Sequence, residues 1–391
     1  MSSDWILQPR DPLVVRDGRP NAGRSESATL AFPHPSTLAG AVRTRTGSGE
    51  AGFVMSANLP ELLQISIRGP LLVDLTDARD PWRLPAPRDA LVTVSGTSWR
   101  VSRLAPTPLG GEVAVDPAFP SDLELVSLSE NTRGKPALEA PTFWPWAELE
   151  RWLVDPASFE GVDAKPRLSS GLSKLTREAR THVSVDSKAG TAREGMLFSV
   201  TGLRLPSARF RSKTAGVDVH AQGLWISTEI PVSLGRSLQP GVGPLGGERR
   251  LASWSKSELS LPGPPPALKA SLSRPGRTRV RVILSTPAIF SAGWRPAPEG
   301  ELLRTRPECQ VTLISALMPR PESISGWDFA KNRPKASRRL VPSGSVYWLE
   351  LDGTGAGKLS WLSEVWLRNV SDSEQDRRDG FGLAVVGAGQ S

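Results

Sequence analysis

The chain has 391 residues, 38% of them hydrophobic, with 48 Lys and Arg against 40 Asp and Glu, a formal charge of +8 and a pI near 10.0. That length suffices for two or three packed domains, and the charge points either to a polyanionic partner, nucleic acid ahead of an acidic membrane surface, or equally to a basic surface that meets nothing in particular. The single cysteine, Cys309, excludes an intrachain disulfide, a multi-cysteine zinc site and a CxxC redox pair.

The start, "MSSDWILQPRDPLVV", lacks a basic stretch followed by a long apolar run, and nowhere is there an apolar run long enough to span a bilayer, so a cytoplasmic location is expected. Its "WILQPRDPLVV" is strand-like and ends at the Asp17–Gly18 turn signal. After a polar loop, Ser36 is placed as N-cap behind Pro35, and Leu38, Ala41 and Val42 follow at helical spacing. Arg43 and Arg45 fall in the last turn of that helix, and Gly47 ends it. Residues 53–165 are rich in proline and tryptophan and read as an elaboration of short strands and loops. "RTHVSV" and "MLFSVTGLRL", joined by the turn-rich "DSKAG", form a β-hairpin with a long polar tip.

"GLWISTEIPVSL" is a further strand, and "PGVGPLGGERRLASWS" is a glycine loop leading into a short helix. In "RTRVRVILSTPAIF", Arg277, Arg279 and Arg281 fall on one strand face and Val280, Val282 and Leu284 on the other. "CQVTLISALMP" and "GSVYWLEL" are strands, "KLSWLSEVWLRNV" a helix, and "RRDGFGLAVVGAGQS" a glycine-framed strand. Helices and strands mix without βαβα alternation, which indicates an α+β fold.

The chemistry-bearing motifs are few. Gly241, Gly243 and Gly246 match G-x-G-x-x-G by letter, yet no strand leads into them and Pro244 interrupts the motif, so a dinucleotide site is disfavoured. The loop retains the capacity to bring amides to a phosphate, with Arg249 and Arg250 beside it. The histidines, His34, His182 and His220, have no partners at metal-ligand spacing. His34 or His182 as general base in metal-independent RNA cleavage stays open, beside the plainer reading of loop histidines making one hydrogen bond. Asp11 and Asp17, flanked by arginines, suit ion pairing better than metal chemistry. Most of the thirteen tryptophans belong in cores, with Trp294 and Trp327 the candidates for stacking on unpaired bases.

Taken together, "DPLVVRDGRP", "FPHPSTLAGAVRT", "HVSVDSKAGTAREGMLF", "LGGERRLA", "SGWDFAKNRPK", "VPSGSVYWLEL" and "RRDGFGLAVVG" resemble, in order, the conserved blocks of the RAMP superfamily of CRISPR proteins, and within it the family of third subunits of the type III-B Cmr complex. The resemblance implies two ferredoxin-like, RRM-related βαββαβ modules, 1–245 and 246–391, the first carrying the 53–165 insertion and a thumb hairpin at about 177–205.

It further implies a non-catalytic subunit without cofactor, which grips the 5′ tag of the CRISPR RNA and meets the guide–target duplex. The large polymerase/cyclase-like subunit would dock on one side and a backbone RAMP subunit on the other. A RAMP endoribonuclease acting on CRISPR precursor RNA is the alternative. Carried onto this sequence, the RNA-contact residues are Arg16 and Arg19 in the first turn, with Ser36, Thr37, Gly40 and Arg43 on the first helix. Arg177, Arg180, His182 and Lys188 belong to the thumb, Gly246, Gly247 and Arg249 to the glycine loop, and Arg378, Gly380 and Gly382 to the C-terminal loop.

Overall fold

Alternating apolar and polar residues dominate this sequence, and such a pattern buries one face of a strand while leaving the other to solvent or to a second layer. The resulting fold is mixed α/β, mostly strands with few helices. The computed structural model describes residues 2–16, 26–27, 29–49, 52–53, 59–108, 120–128, 134–206, 210–211, 218–219, 221–328 and 333–389. The strands used below are β1 (Ser2–Pro9), β2 (Ser66–Asp74), β3 (Ala90–Ser95), β4 (Ser98–Thr107), β5 (Thr176–Val185), β6 (Ala192–Arg204) and β7 (Gln222–Glu229). They continue as β8 (Gly241–Pro244), β9 (Leu251–Lys256), β10 (Gly276–Leu284), β11 (Cys309–Leu317), β12 (Val346–Gly353) and β13 (Ala384–Ala388). The helices are α1 (Pro35–Gly47), α2 (Trp146–Val154), α3 (Gly355–Val365) and α4 (Glu374–Arg378). No helix among the described residues is long and apolar enough to cross a membrane.

The chain divides into two units, Met1–Arg79 with Lys174–Glu258 and Ser323–Arg339, and Asp80–Ser173 with Leu259–Glu322 and Leu340–Ser391. The first unit holds the whole glycine loop, because β8 and β9 belong to its sheet. Of the 53–165 segment, β2 is a strand of that sheet, and the part from Asp80 onward belongs to the second unit.

In the first unit the sheet runs β2-β7-β1-β9-β8 with every neighbouring pair antiparallel. Counting β1, β2, β7 and β9 as first to fourth, the order is second-third-first-fourth. Trp5, Leu7, Leu71, Leu224, Trp225 and Trp254 are buried in its strands, and α1 contributes Leu38, Ala39 and Val42. The helix begins two residues earlier than its sequence suggests. Pro35 occupies the first helical position, where its fixed φ suits a helix and its missing N–H costs nothing, so His34 and not Ser36 is the N-cap.

Arg45 of α1 holds the glycine strand in place. Its guanidinium donates to the carbonyls of Gln239 (3.0 Å), Pro240 (3.2 Å) and Val242 (3.1 Å) and lies over the Trp254 ring at 5.4 Å. A Cβ at Gly243 would collide with that guanidinium, which explains a glycine there without any ligand. The segment after it is the strand β9, not a helix, because Ala252 and Trp254 alternate inward with Leu251 outward.

The second unit repeats the strand order, β11-β12-β10-β13, again antiparallel throughout. Both faces of β10 are covered. On one, Lys358 of α3 donates to Thr278 Oγ1 (2.8 Å) and the Gly276 carbonyl (2.9 Å). On the other, the three arginines predicted to share a face do so, and all are paired. Arg277 meets Asp352 (3.2 Å), and Arg279 holds Glu124 through two nitrogens (2.8 and 3.1 Å). Arg281 is fully buried against fully buried Asp89 and donates to the carbonyls of Trp152 (2.7 Å) and Ala388 (2.8 Å), while Trp152 Nε1 donates to Asp89 (2.9 Å).

Two predictions follow from these clamps. Asp89→Ala leaves a guanidinium buried without its counter-charge and should cost about 3–5 kcal/mol in a denaturant titration, whereas the pair change Arg281→Met with Asp89→Asn should cost less. Arg45→Lys replaces a three-way fork by one ammonium and should cost about 1–2 kcal/mol, with faster amide exchange at Gly241 to Gly243.

Candidate nucleic-acid interface

Basic and glycine-rich segments of the first unit converge on one short extended stretch, Asp11 to Arg16. Leu13 exchanges both backbone hydrogen bonds with Leu203 of β6 (2.7 and 2.8 Å). The Val14 carbonyl accepts from the Gly247 amide (2.7 Å), and the Val15 carbonyl accepts from Leu30 (2.8 Å) and from the buried Thr29 hydroxyl (3.0 Å). One segment therefore fixes the root of the β5–β6 hairpin, the glycine turn and the lead into α1.

The hairpin itself is well paired from Thr176↔Arg204 to Val183↔Leu197, with an irregularity between Val183 and Val185. Gly202 sits so close to Pro12 that a Cβ would lie 2.7 Å from the proline Cβ, which anchors the root. Farther out the strands are exposed. Val183, Val185, Met196, Leu197 (66% exposed) and Phe198 all face solvent, and the His182 ring stacks on Phe198 at 5.5 Å and 19°. At the tip, Asp186 accepts from the amides of Lys188 (2.8 Å) and Ala189 (3.0 Å), which holds its carboxyl below the usual carboxylate range. Arg180 pairs with Glu178 (2.8 Å) and Asp11 (3.9 Å), whereas among the described residues no carboxylate pairs with Arg177 or Lys188. A sequence signal for the exposed residues is that Met196, Leu197 and Phe198 are consecutive, and successive strand residues cannot all point into one core.

On α1, Ser36 and Thr37 lie half-buried in the first turn, and the Thr37 amide donates to the His34 carbonyl (3.0 Å). Gly40 is exposed, and a Cβ there would meet nothing within 4 Å among the described residues, so no packing among them calls for a glycine. Arg43 is half-buried and donates to the Ile65 carbonyl (2.9 Å), which ties part of its charge to the fold. In the glycine turn, a Cβ at Gly246 would stand 2.6 Å from the Val14 carbonyl oxygen, and the Gly247 amide is already bonded to it. Gly246 serves close packing and Gly247 gives its amide to Val14, and the exposed side chains of the turn include Glu248, which pairs with Arg16, and Arg249.

The C-terminal residues stand differently. Gly380 and Gly382 are buried in the second unit, the Gly382 amide donating to Pro287 (2.7 Å) and the Gly380 carbonyl accepting from Thr286 (2.9 Å). Arg378 pairs with Glu374 one turn away on α4. Trp294 is half-buried, its carbonyl holding the Tyr347 hydroxyl (2.6 Å). Asp17, Gly18, Arg19, His220 and the side chain of Trp327 lie outside the described residues. His34 is 4% exposed, and burial pushes it down to about 4. No three metal-ligating side chains cluster among the described residues.

Chains of solved structures resemble this one at low identity. One belongs to "Cryo-EM structure of the Type III-B Cmr-beta bound to cognate target RNA and AMPPnP, state 1", with 12% identity and a TM-score of 0.44 over 88% of this chain and 86% of that one. Another belongs to "Crystal structure of Csm3-Csm4 subcomplex in the type III-A CRISPR-Cas interference complex", with 10% identity and a TM-score of 0.34 over 88% and 92%. No curated protein matches by sequence. The model of the family described as CRISPR-associated protein (Cas_Cmr3) matches residues 5–388, and the chain belongs to that family of type III CRISPR effector components.

Proposed function

We propose that the chain is a non-catalytic CRISPR-RNA-binding subunit of a type III-B effector, built from two ferredoxin-like modules. It grips the 5′ tag of the guide, sets its thumb hairpin against the guide–target duplex, and docks the large polymerase/cyclase-like subunit and a backbone RAMP subunit. The strand order second-third-first-fourth in both sheets supports the module reading, with an irregular stretch replacing one helix in each.

The observation that carries the RNA-binding role is the β5–β6 hairpin. It is anchored at its root by Pro12 and Leu13, exposes apolar side chains along both strands, and offers Arg177 and Lys188 as cations with no carboxylate partner among the described residues. Cations attract the phosphates while exposed rings and aliphatic groups meet bases, a combination suited to unpaired RNA. Gly40 supports a contact at α1, because a glycine in mid-helix costs about 1 kcal/mol relative to alanine and nothing among the described residues requires it. The nuclease alternative is weakened at His34, whose burial keeps it from a substrate, and rests on His182 alone.

Three outcomes test this. Purified protein should bind guide RNA bearing its tag without cutting repeat RNA; cleavage abolished by His182→Ala would overturn the scaffold reading. Gly40→Ala should stabilise the fold by up to about 1 kcal/mol yet weaken RNA binding, opposite signs that a purely structural glycine would not give. Burial of neutral His34 sets a pH dependence: the unfolded histidine takes up a proton near 6.5 and the folded one near 4, so stability is undiminished above 6.5 and falls as the pH drops toward 4, by on the order of 3 kcal/mol. Denaturant titrations between pH 7 and 4.5 should show a steeper loss for the wild type than for His34→Gln.

A further inference from the structure

We propose that the Glu248 carboxylate occupies, in the free chain, the place of a backbone phosphate at Arg16, so that single-stranded RNA reaches Arg16 by displacing Glu248. This rests on the RNA-binding reading above and adds a residue that sets how strongly this site binds.

Both sides of the contact are fixed. Arg16 pairs through its backbone with Thr29, next to the bonded residues Val14 and Val15. Opposite it, Leu245 N donates to Arg250 O (2.8 Å) and Arg250 N to Gly247 O (3.2 Å), closing a tight turn whose Gly247 amide is tied to Val14 (2.7 Å). Within that turn Glu248 (φ 56°) and Arg249 (φ 51°) both adopt the left-handed conformation that residues with a Cβ rarely take. Two such residues in succession persist where the surroundings impose them, and here the result is a carboxylate aimed at Arg16.

The chemistry matches a phosphate. A guanidinium meets carboxylate and phosphate oxygens with the same fork of N–H donors, so one anion can replace the other without rearranging the arginine. The pair is open to solvent, its side chains 49% and 39% exposed, and ion pairs of that exposure are weak and exchange readily. Glu248 is also the sole acidic residue between Glu229 and Glu258, a stretch that contains Arg236, Arg249, Arg250 and Lys256. A solitary carboxylate set against Arg16 lowers the attraction of an otherwise basic loop for any polyanion that cannot compete for that arginine.

The test titrates the full chain with a fluorescein-labelled single-stranded RNA and reads anisotropy. Glu248→Gln keeps the side-chain length and should tighten binding about three- to fivefold, while Glu229→Gln, the same charge change on an exposed strand end, should change it less. In an Arg16→Ala background the gain from Glu248→Gln should vanish. No gain on Glu248→Gln, or an equal gain with and without Arg16, would overturn the proposal while leaving RNA binding intact. A wild-type chain that binds no RNA at any salt concentration would instead remove the RNA-binding reading, and this proposal with it.

Discussion

The candidate interface depends on the backbone of Asp11 to Arg16. These residues form no long strand of their own. They are extended enough to offer carbonyls and amides on two sides, and three separate elements bond to them: β6 at Leu13, the glycine turn at Val14 and the lead into α1 at Val15. Buried backbone groups must find partners, so each of these elements is held where the partner is. The consequence is that residues distant in sequence, Pro12 and Gly202 at 190 positions and Val14 and Gly247 at 233, are placed within van der Waals or hydrogen-bond reach.

Basic residues play two different parts in the molecule. On β10, arginines 277, 279 and 281 each meet carboxylates, and the last has no solvent contact at all. Arg279 and Arg281 bind the 80–173 segment to the sheet of the second unit, while Arg277 pairs within that sheet. In the first unit Arg45 is likewise turned inward, onto three carbonyls and a tryptophan ring. Net charge alone would count all of these toward a polyanion site. The cations that reach solvent on the hairpin and the glycine turn are a small share of the forty-eight.

Much of the architecture was legible because it is local. Alternation located the strands β1, β5, β6, β7, β10, β11 and β12, and helical spacing with Pro35 and Gly47 located α1. What escaped were consequences of distant pairing. Ser36 is a good capping residue, but Pro35 had already begun the helix. Gly243 and Gly246 suit a phosphate loop by composition, yet they answer to Arg45 and Val14, residues no short window includes. Leu251 to Lys256 follows glycines and arginines that suggest a helix start, and only the vacant edge of β1 makes it a strand. Among the site residues, Arg177, Arg180, Lys188 and Gly40 stand on exposed positions, while Gly380 and Gly382 go to the interior because their carbonyl and amide groups complete the 286–287 turn.

The partners of Arg281 come from widely separated parts of the chain: Asp89, Trp152 and, on the final strand, Ala388. During synthesis the sheet of the first unit has all its strands once Lys256 has emerged, whereas that of the second lacks an edge until residue 388. Until then the Arg281 guanidinium has no Ala388 carbonyl to donate to, and the layer from 80–173 has an incomplete sheet to cover. The sheet of the second unit therefore draws its parts from far along the chain, and loss of β13 would be felt at Asp89, some three hundred positions upstream.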